Sequence, residues 1–401
     1  MLIRCRIKRL QTAQYKKYFT IHEKCSKIGK NSKGRIDIPV KFSALREKRD
    51  LWSVLKESPK PKVLYGMGDG ADKILNICNE RGIEISGVFA SDGFAKGKIF
   101  RGFEVITYSE MCKRLGDFTV LLSFATSRPE VLGNIYRIAG QKTLYCPDVP
   151  VFGGGLFDSE FFCENYNKFE KVYNLLSDET SKKAYYNVIA GKLTGDISFL
   201  TGCETSVSEA YENIIQPGER FGYADIGAYN GDTIREFLSY SGGSDRIYAF
   251  EPDARNYRKL CEYADSEKLS NAKLFNYAAW NKDETLAFYS RSGRNSAGTT
   301  SHKNAKAAEI NAVRAENFID GRVDFINIDA EGSDFEAIDG LKNTLLKYRP
   351  TVSCAVYHRN EDMFRLPLEL YEIYGGKCSL YLRHFPYLPA WDTNIYIKNA
   401  E

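Results

Sequence analysis

Two acidic residues and a histidine follow the apolar runs near the end of the sequence. Asp329 and Glu331 come at or just after the end of the run 324–329, and His358 follows the run 351–357. Residues two apart on extended backbone point the same way, so the two carboxylates face one site. Histidine titrates near neutrality and can accept the proton of a hydroxyl. We therefore predict Asp329, Glu331 and His358 as catalytic residues, with the identity of the general base left open and His384 as a second, weaker candidate.

A glycine-containing loop begins earlier, where a short apolar run gives way to a helical pattern. Its sequence, Asp-Ile-Gly-Ala-Tyr-Asn-Gly-Asp over 225–232, lacks the Gly-x-Gly-x-x-Gly spacing that binds pyrophosphate. The loop therefore suits a nucleoside cofactor that lacks phosphate, such as S-adenosylmethionine. An acid at the strand end suits the ammonium group of that cofactor or a water bound to it. The predicted cofactor-binding residues of this loop are Asp225, Gly227, Ala228, Tyr229, Asn230, Gly231 and Asp232.

A second acid follows the next predicted strand, in Ala-Phe-Glu-Pro-Asp over 249–253. A carboxylate at the tip of the second strand can accept both hydroxyls of a ribose. Glu251, 26 residues after Asp225, occupies that position, with Pro252 beside it. Because a strand tip is exposed, Glu251→Ala should weaken cofactor binding and leave folding nearly unchanged. The alternative is an ordinary surface glutamate.

The segment 276–280, Asn-Tyr-Ala-Ala-Trp, ends the third predicted strand. Small residues beside an aromatic ring can form a slot for adenine. We assign Ala278, Ala279 and Trp280 to this slot, although Trp280 could instead be a core residue. Asp329 is assigned to the cofactor as well as to catalysis.

These segments require a framework of strands and helices that brings the strand ends together. Two arrays of alternating strands and helices predict an α/β protein with two Rossmann-like domains. The second array contains seven predicted strands, of which the last two, near 379–383 and 394–397, form an antiparallel pair at the sheet edge. The predicted divisions are a basic arm with a possible helix at 43–55 (1–60), a Rossmann-like domain (61–150), a mainly helical connector (151–220) and a methyltransferase domain (221–401).

The combined segments resemble the FkbM family of methyltransferases. The resemblance runs from about Tyr173 to the C-terminus and includes Ile-Asn-Ile-Asp-Ala-Glu-Gly over 326–332, where the family usually has Ile-Lys-Ile-Asp-Val-Glu-Gly. It implies O-methylation that depends on S-adenosylmethionine, with a hydroxyl of a sugar, a glycan or a secondary metabolite as acceptor. Asn327 replaces the usual lysine, so either the acceptor differs or this residue does not contact it.

Composition narrows the class of protein. Residues 1–50 contain 15 Lys and Arg against 4 Asp and Glu, whereas the whole chain has a net charge of only +4. The ten cysteines form no Cys-x-x-Cys pair, which favours reduced thiols, no zinc ribbon and a cytoplasmic protein. The sequence predicts no metal site, no nucleic-acid partner, no transmembrane segment and, as an open possibility, a homo-oligomer.

Two other functions fit parts of the sequence. A non-catalytic scaffold that binds S-adenosylmethionine would share the cofactor residues and differ on the acceptor side. An NAD-dependent oxidoreductase could act through the first array, where Gly66-Met-Gly-Asp-Gly70 follows a predicted strand. The spacing of these glycines departs from the dinucleotide pattern.

Overall fold

The computed structural model describes residues 41–91, 95, 97–153, 155–289 and 307–400. Most of the basic arm therefore lies outside the described residues. The chain divides into two compact units. Of the described residues, the first unit comprises those within 41–149, Ala190–Leu200 and Tyr387–Pro389, and the second comprises those within Pro150–Ile189, Thr201–Pro386 and 390–400.

The first unit is built on a six-stranded sheet in the order β3-β4-β2-β1-β5-β6. All neighbouring strands are parallel except β3, which is antiparallel to β4. The sequence pattern did not predict β3 and β4, which are short and partly exposed. The strands are β1 (Lys62–Tyr65), β2 (Ile85–Ala90), β3 (Lys98–Phe100), β4 (Phe103–Thr107), β5 (Thr119–Leu122) and β6 (Thr143–Tyr145).

The second unit contains a seven-stranded sheet in the order β15-β16-β14-β13-β7-β8-β9. Strands β14, β13, β7, β8 and β9 are parallel, and β15 and β16 form the antiparallel pair at one edge. The predicted fold class is thereby confirmed. The strands are β7 (Gly222–Ile226), β8 (Arg246–Phe250), β9 (Ala272–Phe275), β13 (Phe325–Ile328), β14 (Thr351–Ala355), β15 (Cys378–His384) and β16 (Thr393–Asn399).

A small additional sheet, absent from the sequence prediction, lies between β9 and β13 in the chain. It has the order β10-β12-β11, with β10 (Ala278–Ala279) parallel and β11 (Glu284–Tyr289) antiparallel to β12 (Ala307–Val313). Its strands are alanine-rich or half exposed, so they lack the β-branched, buried pattern on which strand prediction depends. The predicted third strand thus ends at Phe275, and Ala278 belongs to the small sheet.

Helices cover the sheets and connect their strands. The predicted helix over 43–55 is wrong as one element, because Asp50 accepts a hydrogen bond from the backbone N–H of Ser53 and starts a new helix there. A 3₁₀ helix (Phe42–Glu47) precedes that cap. The α-helices of the first part of the chain are Leu51–Glu57, Asp69–Arg81, Tyr108–Leu115 and Pro129–Ala139. Those that follow are Ser159–Leu175, Glu179–Thr194, Ile197–Thr201, Val207–Ala210, Asp232–Ser241, Ala254–Ser266, Asp334–Asp339, Lys342–Tyr348 and Asp362–Ile373.

Aromatic packing fixes the strands that carry the candidate site. Tyr223 of β7 stacks on Phe237 of the helix Asp232–Ser241, with ring centroids 4.3 Å apart, and on Phe325 of β13 at 5.4 Å. All three side chains are buried. Offset stacking of this kind adds to the free energy gained from burial. The stack therefore holds β7, β13 and the helix in register beneath the ends of the strands. Among the described helices, none combines the length and apolar composition needed to cross a bilayer.

Candidate functional site

The loop after β7 turns sharply because of two glycines. Gly227 has a φ of +88°, and a Cβ there would lie 1.9 Å from the carbonyl oxygen of Asp329. Gly231 has a φ of +82°, and a Cβ there would lie 2.4 Å from the ring of Tyr263. Only glycine meets both demands without strain. The absence of a side chain at 227 brings the end of β13, with Asp329, directly against the loop.

The backbone of this loop is not arranged to bind phosphate. The N–H groups of Gly227 and Ala228 donate to the carbonyl oxygen of Phe250, and that of Gly231 donates to Ala228. Asp232, an acid, begins the helix, where its charge disfavours an anion. Asn230, by contrast, has a buried side-chain oxygen with no hydrogen-bond partner among the described residues. This unused acceptor suits a ligand that donates hydrogen bonds, such as an ammonium group.

Glu251 follows β8, and both of its carboxylate oxygens accept hydrogen bonds from the backbone. The N–H of Tyr229 and the N–H of Asp253 each lie 2.8 Å away. The predicted exposure was wrong, because Glu251 is only 6% exposed. Burial raises its pKa to about 7, although the two N–H groups favour the charged form. Loss of this side chain would therefore leave two N–H groups without partners, which sequence reasoning did not anticipate.

Asp225, the one acid of β7, is fully buried. It accepts hydrogen bonds from the hydroxyl of Thr233 and from Nδ2 of Asn327 at 3.1 Å. Burial raises its pKa to about 6, and the two hydrogen bonds oppose that rise. The structure thus shows Asp225 holding the start of the helix Asp232–Ser241 and β13 together. Asn327, at the position where the resembled family usually has lysine, contacts Asp225.

The predicted adenine slot lies next to the turn that carries Glu251. Asn276 donates from Nδ2 to the carbonyl oxygens of Glu251, at 2.8 Å, and Pro252, at 3.1 Å. Ala279 is buried, and Ala278 and Trp280 are half buried. The indole N–H of Trp280 donates to Glu284 at 2.8 Å, which fixes the ring on the small sheet. Trp280 is therefore a partly exposed ring with a fixed orientation.

The three predicted catalytic residues lie together after β13 and β14. Nε2 of His358 is 3.2 Å from Oδ1 of Asp329 and 3.6 Å from Oε2 of Glu331. His358 is completely buried, whereas the side chains of Asp329 and Glu331 are 40% and 34% exposed. The histidine thus approaches the two acids from inside the protein, and the acids face outward. We refer to Asp329, Glu331 and His358 as the acid–histidine cluster.

Asp334 orients the cluster and was missed as a functional residue. Its Oδ2 lies 2.8 Å from Nδ1 of His358, and its carboxylate also accepts the N–H groups of Ala330 and Gly332. It is 1% exposed. The sequence suggested only a helix start, which is correct, since Asp334 begins the helix Asp334–Asp339. One sequence pattern could have indicated this role of Asp334: it is an acid at a helix start, just after a candidate catalytic acid.

The cluster has unusual electrostatics and backbone geometry. Burial raises the pKa of Glu331 to about 8, and the neighbouring Asp329 and Asp334 add to the rise. Burial lowers the pKa of His358, but the charges of Asp334 and Asp329 outweigh it and raise the pKa well above its usual range. Glu331 also has a φ of +50°, a conformation that is rare for a residue with a side chain. Perturbed pKa values and strained backbone are both concentrated at functional sites.

Two further side chains complete this edge of the sheet. The hydroxyl of Tyr357 donates to Oδ2 of Asp329 at 3.2 Å. Phe152 donates its backbone N–H to the carbonyl oxygen of His358 at 3.1 Å, and its ring lies so close to Gly332 that a Cβ there would be 2.6 Å away. No sequence pattern pointed to Phe152, since it precedes β7 by about seventy residues.

His384, the second histidine considered, belongs to the core of the sheet. It is completely buried at the end of β15, and its Nδ1 lies 3.0 Å from the hydroxyl of Thr393. Burial lowers its pKa to about 4, so the ring is neutral at physiological pH. Its position does not bring it into the acid–histidine cluster.

The fold and this edge of the sheet define the second unit as a methyltransferase-type α/β domain. Residues 225–385 match the model of the methyltransferase FkbM domain, a range that contains Asp225, Glu251 and the whole acid–histidine cluster. The chain therefore carries an FkbM methyltransferase domain. No protein of curated function matches the sequence.

At least one solved structure shares the fold. The crystal structure of methyltransferase FkbM from Methylobacillus flagellatus KT superposes with a TM-score of 0.64 at 17% identity, covering 96% of this chain and 99% of that chain. An rRNA methylase from Streptococcus thermophilus matches 49% of this chain and 98% of its own, at 12% identity and a TM-score of 0.31. Fibrillarin from Aeropyrum pernix, crystallised with S-adenosyl-L-methionine, matches 48% of this chain and 71% of its own, at 11% identity and a TM-score of 0.31. Only the first likeness is strong enough to bear on the fold.

Proposed function

We propose that the protein is an O-methyltransferase that uses S-adenosylmethionine and methylates a hydroxyl of a sugar, a glycan or a secondary metabolite. The observation that carries the proposal is the gathering of Glu251, the glycine loop and the acid–histidine cluster at one edge of the sheet. They follow β7, β8, β13 and β14, which are parallel, so their carboxyl ends share that edge. Open α/β sheets bind ligands there.

The residues on the cofactor side fit S-adenosylmethionine better than a dinucleotide. A carboxylate has about four acceptor positions. The backbone of Tyr229 and Asp253 uses two of those on Glu251, which leaves two for the hydroxyls of a ribose. The free oxygen of Asn230 suits an ammonium group, and Ala278, Ala279 and Trp280 would line the adenine side. The N–H groups of Gly227, Ala228 and Gly231, which a pyrophosphate would need, already donate to the carbonyl oxygens of Phe250 and Ala228.

The acid–histidine cluster provides a group that can accept the proton of the acceptor hydroxyl. S-adenosylmethionine, if held by these residues, would supply the methyl group, with the O–C bond to the acceptor forming as the S–C bond breaks and that electron pair remaining on sulfur. The acceptor hydroxyl must lose its proton, and we assign that proton to the carboxylate of Asp329, because the raised pKa values of His358 and Glu331 favour their protonated forms. Holding the hydroxyl in line with the methyl group would contribute much of the acceleration. Fixed side chains such as His358, which Asp334 orients, serve that purpose.

Ligand-dependent melting and methyl release together test the proposal. S-adenosylmethionine and S-adenosylhomocysteine should raise the melting temperature by mass action, and NAD and NADP should not. A panel of sugars, glycans and hydroxylated metabolites should then contain an acceptor that receives the labelled methyl group. A shift with NAD alone would contradict the cofactor assignment. Tight cofactor binding without turnover on any acceptor would favour the non-catalytic scaffold instead.

A further inference from the structure

We propose that the second unit binds a small aromatic phosphate in a cavity at the edge of the sheet opposite the acid–histidine cluster. The cavity, of about 300 Å³, lies where β7, β13 and β14 begin and β16 ends. The acid–histidine cluster follows the other ends of β13 and β14, and the four residues of β13 span about 13 Å. The two sites are therefore separate. Several polar and aromatic side chains form the walls of this basal cavity, among them Gln216, Phe221, Arg322, Tyr348, Arg349 and Lys398.

The charged side chains of the basal cavity give it a net positive charge. Arg322, Arg349 and Lys398 are cations, and Asp324 is the one acid among the described residues of the lining. Both oxygens of Asp324 are already engaged, because Oδ1 accepts from Nε of Arg322 at 2.7 Å and Oδ2 accepts from the backbone N–H of Gly222 at 2.9 Å. Three cations against one acid leave a net charge of about +2, which complements a phosphate monoester with a charge of about −1.5 to −2 at pH 7.

Many N–H groups of the three cations have no acceptor among the described residues. Arg322 donates from Nε alone, and Lys398 uses one N–H on Oε1 of Gln216, at 2.7 Å. Arg349 donates from Nε to Oδ1 of Asn399 and from Nη2 to two backbone carbonyl oxygens, so its Nη1 is unused. A guanidinium has five N–H groups and an ammonium three, which leaves four on Arg322, two on Arg349 and two on Lys398. Phosphate oxygens accept charge-assisted hydrogen bonds from donors of this kind.

Two side chains of the lining occupy positions where a helix usually ends in glycine. Gln216 and Arg349 each follow a helical segment directly and have φ values of +49° and +46°. This left-handed conformation is disfavoured for a residue with a side chain, and glycine is common there. Here both side chains are used, since Gln216 holds Lys398 and Arg349 holds Asn399 at 2.7 Å. Two of the cations are thus held in place before a ligand arrives, which lowers the entropy cost of binding.

The remaining walls of the basal cavity are largely apolar. Ile215, Phe221, Tyr348 and Pro350 contribute apolar surface beside the cations. Phe221 and Tyr348 are half buried, so each ring is packed against the protein and still partly accessible. Small-molecule sites commonly combine such apolar surface with a few charged groups, and about 300 Å³ is the lower end of their usual size. Charge and shape together therefore indicate a single aromatic ring that carries a phosphate.

Calorimetric titration of the full chain with phenyl phosphate tests the proposal. S-adenosylhomocysteine is kept in excess, so that the aromatic ring cannot occupy the proposed adenine slot instead. We expect one bound equivalent, and at least about fivefold weaker binding in Arg322→Gln and in Lys398→Gln, because each variant loses charge-assisted hydrogen bonds. Arg322 is 73% exposed and Lys398 is half buried at the edge of the sheet, so neither change should prevent folding. Arg220→Gln is the matched control, since Arg220 is an exposed arginine paired with Asp245 and does not line the cavity.

Two further ligands separate the effect of charge from that of shape. Inorganic phosphate carries the charge without the ring, and benzyl alcohol carries the ring without the charge. Each should bind at least tenfold more weakly than phenyl phosphate. Inorganic phosphate that binds as tightly as phenyl phosphate would overturn the assignment of an aromatic ligand.

The outcomes are independent of the proposed function. Absence of phenyl phosphate binding, or equal affinity in the wild type, Arg322→Gln and Lys398→Gln, would overturn the site and leave the methyltransferase proposal intact. Phenyl phosphate binding that depends on Arg322 and Lys398, in a protein that does not bind S-adenosylhomocysteine, would support the site and contradict the proposed function.

Discussion

Both units have a glycine-containing turn between the first strand of the sheet and a helix, yet the side chains around the two turns differ. In the first unit a Cβ at Gly66 would lie 2.8 Å from the ring of Phe124, and one at Gly70 would lie 2.6 Å from the carbonyl oxygen of Ser123. In the second unit the corresponding neighbour of Gly227 is the backbone of Asp329. Each glycine therefore allows a neighbouring strand end to approach closely.

The two turns differ in the residues that this close approach places beside them. The first turn is brought against a phenylalanine ring and a serine, whose hydroxyl donates to the carbonyl oxygen of Tyr65. The second turn is brought against the end of β13, which carries two members of the acid–histidine cluster. A glycine turn alone thus indicates close packing, and the residues of the approaching strand decide whether a reactive site results. This accounts for the weak case for nucleotide chemistry at Gly66–Gly70.

The largest expected effect is that of a side chain at Gly227. In Gly227→Ala the Cβ would overlap the backbone of Asp329 and require a left-handed conformation, so we expect a loss of about 3–5 kcal/mol in the free energy of unfolding. Gly68→Ala is the control in the turn of the first unit, where nothing lies within 4 Å; because Gly68 is the N-cap of the helix Asp69–Arg81, it should lose about 1 kcal/mol at most. Chemical denaturation measures both; equal effects would show that the two turns are packed alike.

A smaller effect is expected from Asp334→Asn. The variant weakens a charge-assisted hydrogen bond to buried His358, so stability should fall by about 1.5–3 kcal/mol. Methyl release should also fall, by roughly tenfold or more, because Asp334 no longer holds His358 in position. Asp148→Asn breaks a buried ion pair with Lys192 in the first unit and should also lower stability, but should leave methyl release by the folded protein unchanged. Loss of methyl release in both variants would mean that general destabilisation, rather than the cluster, is responsible.

The smallest effect concerns the pH dependence of stability. Burial raises the pKa of Asp225 to about 6 in the folded chain, above its value of about 3.9 when unfolded. The folded state therefore binds the proton more tightly, and Asp225 makes the wild type less stable as pH rises through this range. Relative to the wild type, the free energy of unfolding of Asp225→Asn should increase by about 1–1.5 kcal/mol between pH 5 and pH 7.5. Denaturation at the two pH values measures this, and a difference that does not change with pH would show that Asp225 is not buried as a charged group.

The sequence was sufficient to predict the parts of the site that follow strong strands. Asp329, Glu331, His358 and Glu251 all come directly after buried runs, and parallel strands must place such residues at one edge. Contacts between residues that are distant in the chain could not be predicted from the sequence. Phe152 and Asp334 reach His358 through backbone and helix-start geometry that no local spacing encodes, and the alanine-rich strand β12 lacks strand propensity. The exposure of Glu251 was mispredicted because its partner, the N–H of Tyr229, lies on a different loop.

Calorimetric titration of Glu251→Ala with S-adenosylhomocysteine tests the central claim, that the second unit binds this cofactor at the ends of β7 and β8. Removal of a carboxylate that accepts two ribose hydroxyls should weaken binding at least tenfold, since each such hydrogen bond is worth about 1.5–3 kcal/mol and about 1.4 kcal/mol is one decade. The matched control is Asp253→Ala, which removes the helix cap of the same turn but leaves Glu251 in place, and should bind nearly as the wild type does. A dissociation constant for Glu251→Ala equal to that of the wild type, in a folded protein, would contradict the account.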